Sequence, residues 1–338
     1  MSVSDGGKAM TARELARLLG VSQSAVSRAY TPGASISPDL RERILSAADR
    51  FGYRPNAIAS ILSRQRSNIV GLVVSDLRNP FYPKLFERLT RRLQERGQQT
   101  LVFNIAPGSD VKQQLAALRQ FHVDALVIVS ATVLSGLDLA WAAEGRRAIL
   151  VNRVAPDAGL ASVTCDNVGG PRAIADHFHA LGHRRVAYVA GLTATHVGRE
   201  RQSAFATRVA ELGMTLSALV PGGRYAYEVG HAAAVGIARA GGVDAIFFAN
   251  DIMALGGMDA LREVAGLRIP EDVAVAGFDD IDMAAWPHYR LTTYRQPVDA
   301  IVERTMALLD GNDPPPGFVD VVPGELVVRN STVREAAV

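Results

Sequence analysis

From Ile69 onward the chain alternates short apolar runs with amphipathic stretches of helical period, and few folds accept that pattern. The runs are IVGLVVS (69–75), TLVFN (100–104), ALVIVS (125–130), AILVN (148–152), RVAYVA (185–190), AIFFAN (245–250) and VAVAGFDD (273–280). Between them, residues 82–96, 110–121, 169–181, 200–212 and 252–265 repeat their apolar positions at helical spacing. Strands apolar on both faces, alternating with helices, build parallel sheets covered on both sides. The pattern runs on for more than one small sheet needs, so two similar lobes with a ligand cleft between them are expected. The tail from Gly311 holds a Pro-rich turn and one or two strands, with no leucine heptad for further helical assembly.

Ahead of this body stands a different kind of sequence. In TARELARLLGVSQSAVSRAY (11–30), Thr11 with Glu14 three residues later is a capping-box pattern. Leu15, Leu18 and Leu19, with Ala12 and Ala16, form an apolar stripe at helical spacing. Gly20 permits the left-handed backbone that ends a helix, and Val21 plugs the turn. Ser22 caps a second helix that turns Ala25, Val26 and Ala29 inward and leaves Gln23, Ser24, Ser27 and Arg28 outside. Ser37 and Pro38 start a third helix, with Leu40, Ile44, Ala48 and Phe51 on its apolar face and Gly52 as its stop. A short polar helix tip followed by an arginine suits the DNA major groove, where Gln pairs with adenine and Arg with guanine. An ordinary helical hairpin with a solvated face is the plainer alternative.

Charge separates the two regions. The whole chain carries +2, yet residues 1–66 hold ten basic groups against five acids, which leaves −3 for the rest. A basic head on a slightly acidic body is the footprint of a protein that binds polyanions at one end. With 338 residues and 48% hydrophobic content the chain has material for two or three domains. The polar start MSVSDGGKAM lacks a signal core, no apolar run is long enough for a membrane helix, and the single Cys165 has no disulfide partner. These point to the cytoplasm, with no membrane contact.

Between head and body lies YRPNAIASILSRQRSN (53–68), where Pro55 and Asn56 open a short helical stretch, Ala57 to Ser63. A helix this short is not stable alone in water. It forms only against a partner, with Leu62 the candidate wedge into a minor groove, or else the stretch is a plain linker.

ELARLLGVSQSAVSRAY, SPDLRERILSAADRFGYRPNAIASIL, VGLVVSDLRNPFY, DNVGGPRAIADHFHALGHRRVAYVAG, RERQSAF, FFANDIMALGGMDALREVAGLRIPEDVAVAGFDD and LTTYRQP occur in this order. With these motifs the chain, from Thr11 to about Arg329, resembles the LacI/GalR family of bacterial transcription regulators. The resemblance implies an all-α helix-turn-helix head plus an α/β two-lobed, periplasmic-binding-protein-like (type I) effector domain, assembled as a homodimer or tetramer. It divides the chain into a head (9–53), a hinge helix and linker (54–67), an N-terminal lobe (68–166 with 297–322) and a C-terminal lobe (167–296 with 323–338). It puts Gln23, Ser24 and Arg28 on base edges and Leu62 in a pried-open central base step. Thr11, Ser22, Ser27, Asn56 and Ala59 complete the expected DNA-contacting set. Two departures stand out: Ser60-Ile61 replaces the usual Arg-Ser before the hinge leucine, and Thr31-Pro32-Gly33 replaces an Asn-Gly loop.

Ligands of open parallel sheets sit beyond the carboxyl ends of the strands. The polar and aromatic residues expected there are Asp76, Phe81, Tyr82, Asn152, Arg153, Arg199, Tyr225, Asn250, Asp279 and Gln296. By resemblance Phe81 and Tyr225 stack on the ligand, while Asn152, Arg199, Asn250 and Asp279 hydrogen-bond it. Such a set suits a sugar or sugar derivative, with acceptors and donors for hydroxyls and an aromatic face for a ring. Asp76 serves equally as a loop cap, and Asp279 and Asp280 as turn caps. Asp251 is read as the N-cap of the helix that follows, and Arg201 as a surface ion-pairing residue. His177, His179 and His183 scatter around their helix, which argues against a metal.

No GxxxxGK[ST], HExxH or GxSxG motif is present, and no cofactor is implied. The expectation is a non-enzymatic repressor of pseudopalindromic operator DNA, switched by a small effector. A two-lobed solute-binding or sugar-processing protein with a basic interaction module is the alternative.

Overall fold

The computed structural model describes residues 10–31, 33–54, 67–74, 77–105, 110–129, 140–141, 144, 146–155, 159–311 and 314–333, with backbone alone at 111, 112 and 115. The chain divides into two compact units, 1–67 and 68–338.

In the first unit, α1 (Ala12–Leu19), α2 (Gln23–Ala29) and α3 (Pro38–Arg50) enclose a small core of Leu15, Val26, Ala29, Ile44, Ala48 and Tyr53. The Thr11–Glu14 capping box is formed in both directions, and Gly20 ends α1 at φ 64°. Ser22 and Ser37 each accept an N-cap bond, from the amides of Ala25 and Leu40. The edge of Tyr30 meets Tyr53 at 5.9 Å between ring centroids. Two residues leave the expected stripes. Leu18 is 54% exposed and Phe51 is 41% exposed beneath the Arg50 guanidinium, because three short helices cannot bury every apolar residue they carry.

The second unit holds two six-stranded sheets. The first contains β1 (Ile69–Val74), β2 (Gln99–Asn104), β3 (Ala125–Val129), β4 (Ala148–Val151), β5 (Ala161–Cys165) and β11 (Val319–Val322), in the order β11-β5-β4-β3-β1-β2. The second contains β6 (Arg185–Val189), β7 (Thr215–Val220), β8 (Ala245–Phe248), β9 (Ala274–Asp279), β10 (Thr292–Arg295) and β12 (Glu325–Val327), in the order β12-β10-β9-β8-β6-β7. Every pairing is parallel except β10 with β12. The chain therefore passes between sheets after β5, after β10 and after β11. The helix following the second passage, Val298–Asp310, returns to pack on Phe81–Glu95 of the first sheet's layer. Arg88–Asp299, Arg92–Glu303 and Arg96–Asp310 pairs run along that contact.

Apolar runs do not announce β5, β7 and β10. Ser162 and Thr164 interrupt β5 yet are buried; Thr292 and Thr293 are fully buried in β10. The threonine hydroxyls of β10 are satisfied by residues far along the chain: Thr293 Oγ1 donates to Asp251 at 2.5 Å and Thr292 Oγ1 to the Arg329 carbonyl at 2.9 Å. A buried polar side chain with a partner costs a strand little. The helix expected over 252–265 is two pieces: an α-helix Asp251–Asp259 and a π-helical turn Ala260–Val264.

Candidate functional site

A narrow cleft opens beyond the carboxyl ends of the strands of both sheets. Each wall follows from a strand's end. Asn79, Phe81 and Tyr82 follow β1, and Asn152 follows β4; Val197 and Arg201 come from the helix after β6, Tyr225 after β7, Asn250 after β8, Asp279 at the tip of β9, and Gln296 after β10. Phe81, Tyr82, Asn152, Asn250, Asp279 and Gln296 are all buried, and Tyr225 is half-buried.

The backbone is strained where it presents these groups. Asn152 sits at φ 56°, Asp279 at φ 131° and Asp280 at φ 58°. Such conformations persist only where surroundings hold them, and they cluster at functional sites. Here the holder is visible: the Asp280 carboxylate accepts from Arg295 Nε at 2.6 Å and from Arg329 Nη2 at 2.7 Å.

Arg201 is the central cation of the cleft. It is 5% exposed, donates to the Ala249 carbonyl and to Asn167 Oδ1, and lies 3.5 Å over the Phe278 ring. Burial raises the pKa of Asp279, and the Arg201 charge and the Gln296 amide oppose that rise. Burial, reinforced by the Asp279 charge, likewise raises that of Asp251, against bonds from Thr293 Oγ1 and the Ile281 amide. Gln296 Nε2 donates to Asp279 Oδ1 at 2.6 Å, and Asn250 Oδ1 accepts from the Met253 amide at 3.2 Å. These bonds fix which way both amides point. Around the cleft, Arg201 Nε and Gln296 Oε1 are buried without a hydrogen-bond partner among the described residues, and a hydrogen bond from the Asn250 side chain also opposes the rise in the Asp279 pKa.

The structure brings together Phe81, Tyr82, Asn152, Tyr225, Asn250, Asp279 and Gln296 from the expected set. Two expected residues are not on the wall. Arg199 is exposed, its guanidinium turned back to the carbonyls of Thr193 and Ala194, and Arg153 does not line the cleft. Asp76 lies outside the described residues. Arg201 is not a surface residue; it shares a helix face with the buried Val197, Ala204, Phe205 and Val209, whereas Arg199 is out of phase. That phase was readable from spacing once Thr195 is taken as the cap of the helix His196–Glu211. Asn250, not Asp251, caps the following helix, and Asp251 is a fully buried tie beneath the cleft.

In the head, Gln23, Ser24, Ser27 and Arg28 lie exposed along α2. Thr11 and Ser22 spend their hydroxyls on caps, and Ser22 Oγ also meets Ser24 Oγ at 2.8 Å. Asn56, Ala59 and Leu62 lie outside the described residues. His177 meets Thr332 and His183 faces Asp244, and no metal-holding group occurs among the described residues. Burial pushes the Cys165 thiol up to about 12, so it stays protonated.

Residues 11–56 match the bacterial regulatory proteins of the lacI family, and residues 175–332 match the periplasmic binding protein-like domain. The transcriptional regulator CelR of Thermobifida fusca is 32% identical over 93% of this chain and 92% of its own length. A lac repressor dimer bound to operator and the anti-inducer ONPF superposes with a TM-score of 0.85 at 25% identity, covering 96% of this chain and all of that one. A CelR–cellobiose complex does so with a TM-score of 0.70 at 29% identity, covering 95% and 99%. With the head, the two-sheet body and the cleft in one chain, it belongs to the LacI family and is an effector-responsive, DNA-binding transcription regulator rather than an enzyme.

Proposed function

We propose that this chain is a cytoplasmic homodimeric repressor whose heads read a pseudopalindromic operator and whose cleft takes a small sugar or sugar derivative. The carrying observation is a pair of unpartnered buried atoms, the Arg201 Nε donor and the Gln296 Oε1 acceptor, in a cleft edged by Phe81, Tyr82 and Tyr225 that also presents the Asp279 carboxylate. An unmet buried polar atom is costly, and sugar hydroxyls, which both donate and accept, would relieve both. A cellobiose-bound relative supports the same ligand class. A thermal-shift screen of neutral sugars, sugar acids and nucleobases on the full chain tests this. A sugar that raises the melting temperature supports the reading; stabilisation by a nucleobase alone overturns it.

Binding of the effector would change the angle between the lobes, and with it the spacing of the paired hinge segments over DNA. A coupling of about 1–3 kcal/mol is enough for such a switch. The boundaries 9–53, 54–67, 68–166 with 297–322, and 167–296 with 323–338 follow this division of labour.

Dimerisation is supported by the lac repressor dimer and by an apolar groove beside the edge strand β2, lined by Leu77, Pro83, Phe86, Thr90 and Val102. Val102 is 52% exposed there. Sedimentation at micromolar concentration is expected to give a dimer, and Val102→Glu to shift it toward monomer.

Base reading is assigned to α2. Arg28→Ala is expected to relax preference at one position per half-site in a selection from random duplex, at a cost of about 1–3 kcal/mol in specific binding. An unchanged consensus would remove Arg28 from the reading face.

A further inference from the structure

The loop after α2 departs from the family's usual Asn-Gly sequence, and one arginine gathers it. Arg41, half-buried on α3, donates from Nη1 to the Ala29 carbonyl at 3.0 Å and to the Thr31 carbonyl at 3.3 Å. Its Nη2 donates to Thr31 O and Ala34 O, each at 3.3 Å. Ala29 is the last residue of α2, so its carbonyl has no partner within the helix. A cation there also faces the negative end of the helix dipole. The next carbonyl along, that of Ser35, lies 3.5 Å from Arg28 Nη1, and Arg28 Nε donates back to Ser24 O at 3.3 Å.

We propose that Arg41 is a positioning residue for DNA reading: its planar fork holds the carbonyls of Ala29, Thr31 and Ala34, and the Ser35 carbonyl that follows them aims Arg28 toward the bases. This rests on the assignment of Arg28 as a base reader. Arg41 is set apart from the exposed Arg28 and Arg43 by its partial burial and by spanning three main-chain carbonyls with one guanidinium, where Arg43 reaches only that of Leu19. Only arginine has the reach and the diverging donors to span Ala29, Thr31 and Ala34 together; a lysine ammonium is a point charge.

The test uses the full chain, the duplex recovered by selection with the unaltered protein, and a random duplex of equal length. Arg41→Lys keeps the charge and loses the fork; Arg41→Met keeps the stem and loses both. Positioning expects both variants to bind the selected duplex at least tenfold more weakly. It expects random-duplex affinity for Arg41→Lys to stay within twofold, with an unchanged slope of log affinity against log salt. It also expects the Arg41→Lys loss to shrink to under threefold in an Arg28→Ala background, since the two residues act on one contact. Full activity of Arg41→Lys with loss in Arg41→Met, alongside a salt slope shallower by about one in the latter, makes Arg41 a phosphate contact and overturns the proposal. So does an equal loss in the Arg28→Ala background. If failure came from Arg28 not reading bases at all, Arg28→Ala alone would leave the selected consensus unchanged, which separates the two claims. A head that no longer folds announces itself as lost random-duplex binding in Arg41→Lys, and that too overturns a purely positioning role.

Discussion

Exchange of Arg201 for methionine lowers the unfolding free energy by about 2–4 kcal/mol, because two buried acceptors lose their donor at once. The acceptors are the Ala249 carbonyl and Asn167 Oδ1, on opposite sides of the guanidinium. Methionine retains an apolar stem against Phe278, so the loss reports the polar bonds and the charge, not an empty hole. The deficit also depends on pH, with a definite sign. Burial raises the Asp279 pKa and the Arg201 charge opposes it, so removing the charge raises it further. A carboxyl whose folded-state pKa is raised contributes stability that is fully present below about pH 4 and is lost as pH rises through its folded value. The deficit of the variant should therefore be wider at pH 8 than at pH 5 in guanidinium unfolding. A pH-independent deficit below 1 kcal/mol would mean that the guanidinium does not carry the cleft.

The second large effect concerns two helices that touch through their backbones. A Cβ placed on Gly256 would stand 2.1 Å from the Tyr227 carbonyl oxygen, and one on Gly230 would stand 1.9 Å from that of Met253. Neither neighbour is a flexible side-chain tip, so the helices Tyr227–Ala240 and Asp251–Asp259 must separate to admit it. Gly256→Val is expected to cost about 3 kcal/mol or more, at the upper end for an overpacked contact. The displaced helix begins at Asn250 and Asp251, so effector-dependent release of DNA should be lost in any variant that still folds. Gly256→Ala, with one methyl, should fall between. Stability of the alanine variant within 0.5 kcal/mol of the parent would show that the helices have room to spare.

Much of this molecule could be read from local chemistry. Thr11 with Glu14, Gly20, Ser22, and Ser37 with Pro38 specify their helix ends through contacts within four residues, and all of these form as expected. Ala25, Val26 and Ala29 face inward, and Gln23, Ser24, Ser27 and Arg28 outward, because a three-helix unit has only one inside. The alternating runs likewise imposed parallel sheets. Polar strands escaped: Ser162 and Thr164 break the apolar run of β5, and the threonines of β10 are satisfied by partners such as the Arg329 carbonyl, 37 residues beyond Thr292. No local pattern contains such a partner.

Sequence alone, then, decided the apolar strands and the helices that alternate with them, which face of the head meets solvent, and which of those strand ends are available to a ligand. Periodicity and capping act over a few residues, and they are complete within the chain segment that displays them. Tertiary structure alone decided that the Arg201 guanidinium meets the Ala249 carbonyl and Asn167, that Asp251 is tied to Thr293 and the Ile281 amide instead of capping its helix, and that Arg41 spends its donors on the loop after α2. Each of those outcomes depends on which donor or acceptor from elsewhere in the chain is brought within about 3 Å, the range over which a hydrogen bond acts. A residue's type names what it can donate or accept; only the packed fold supplies the partner.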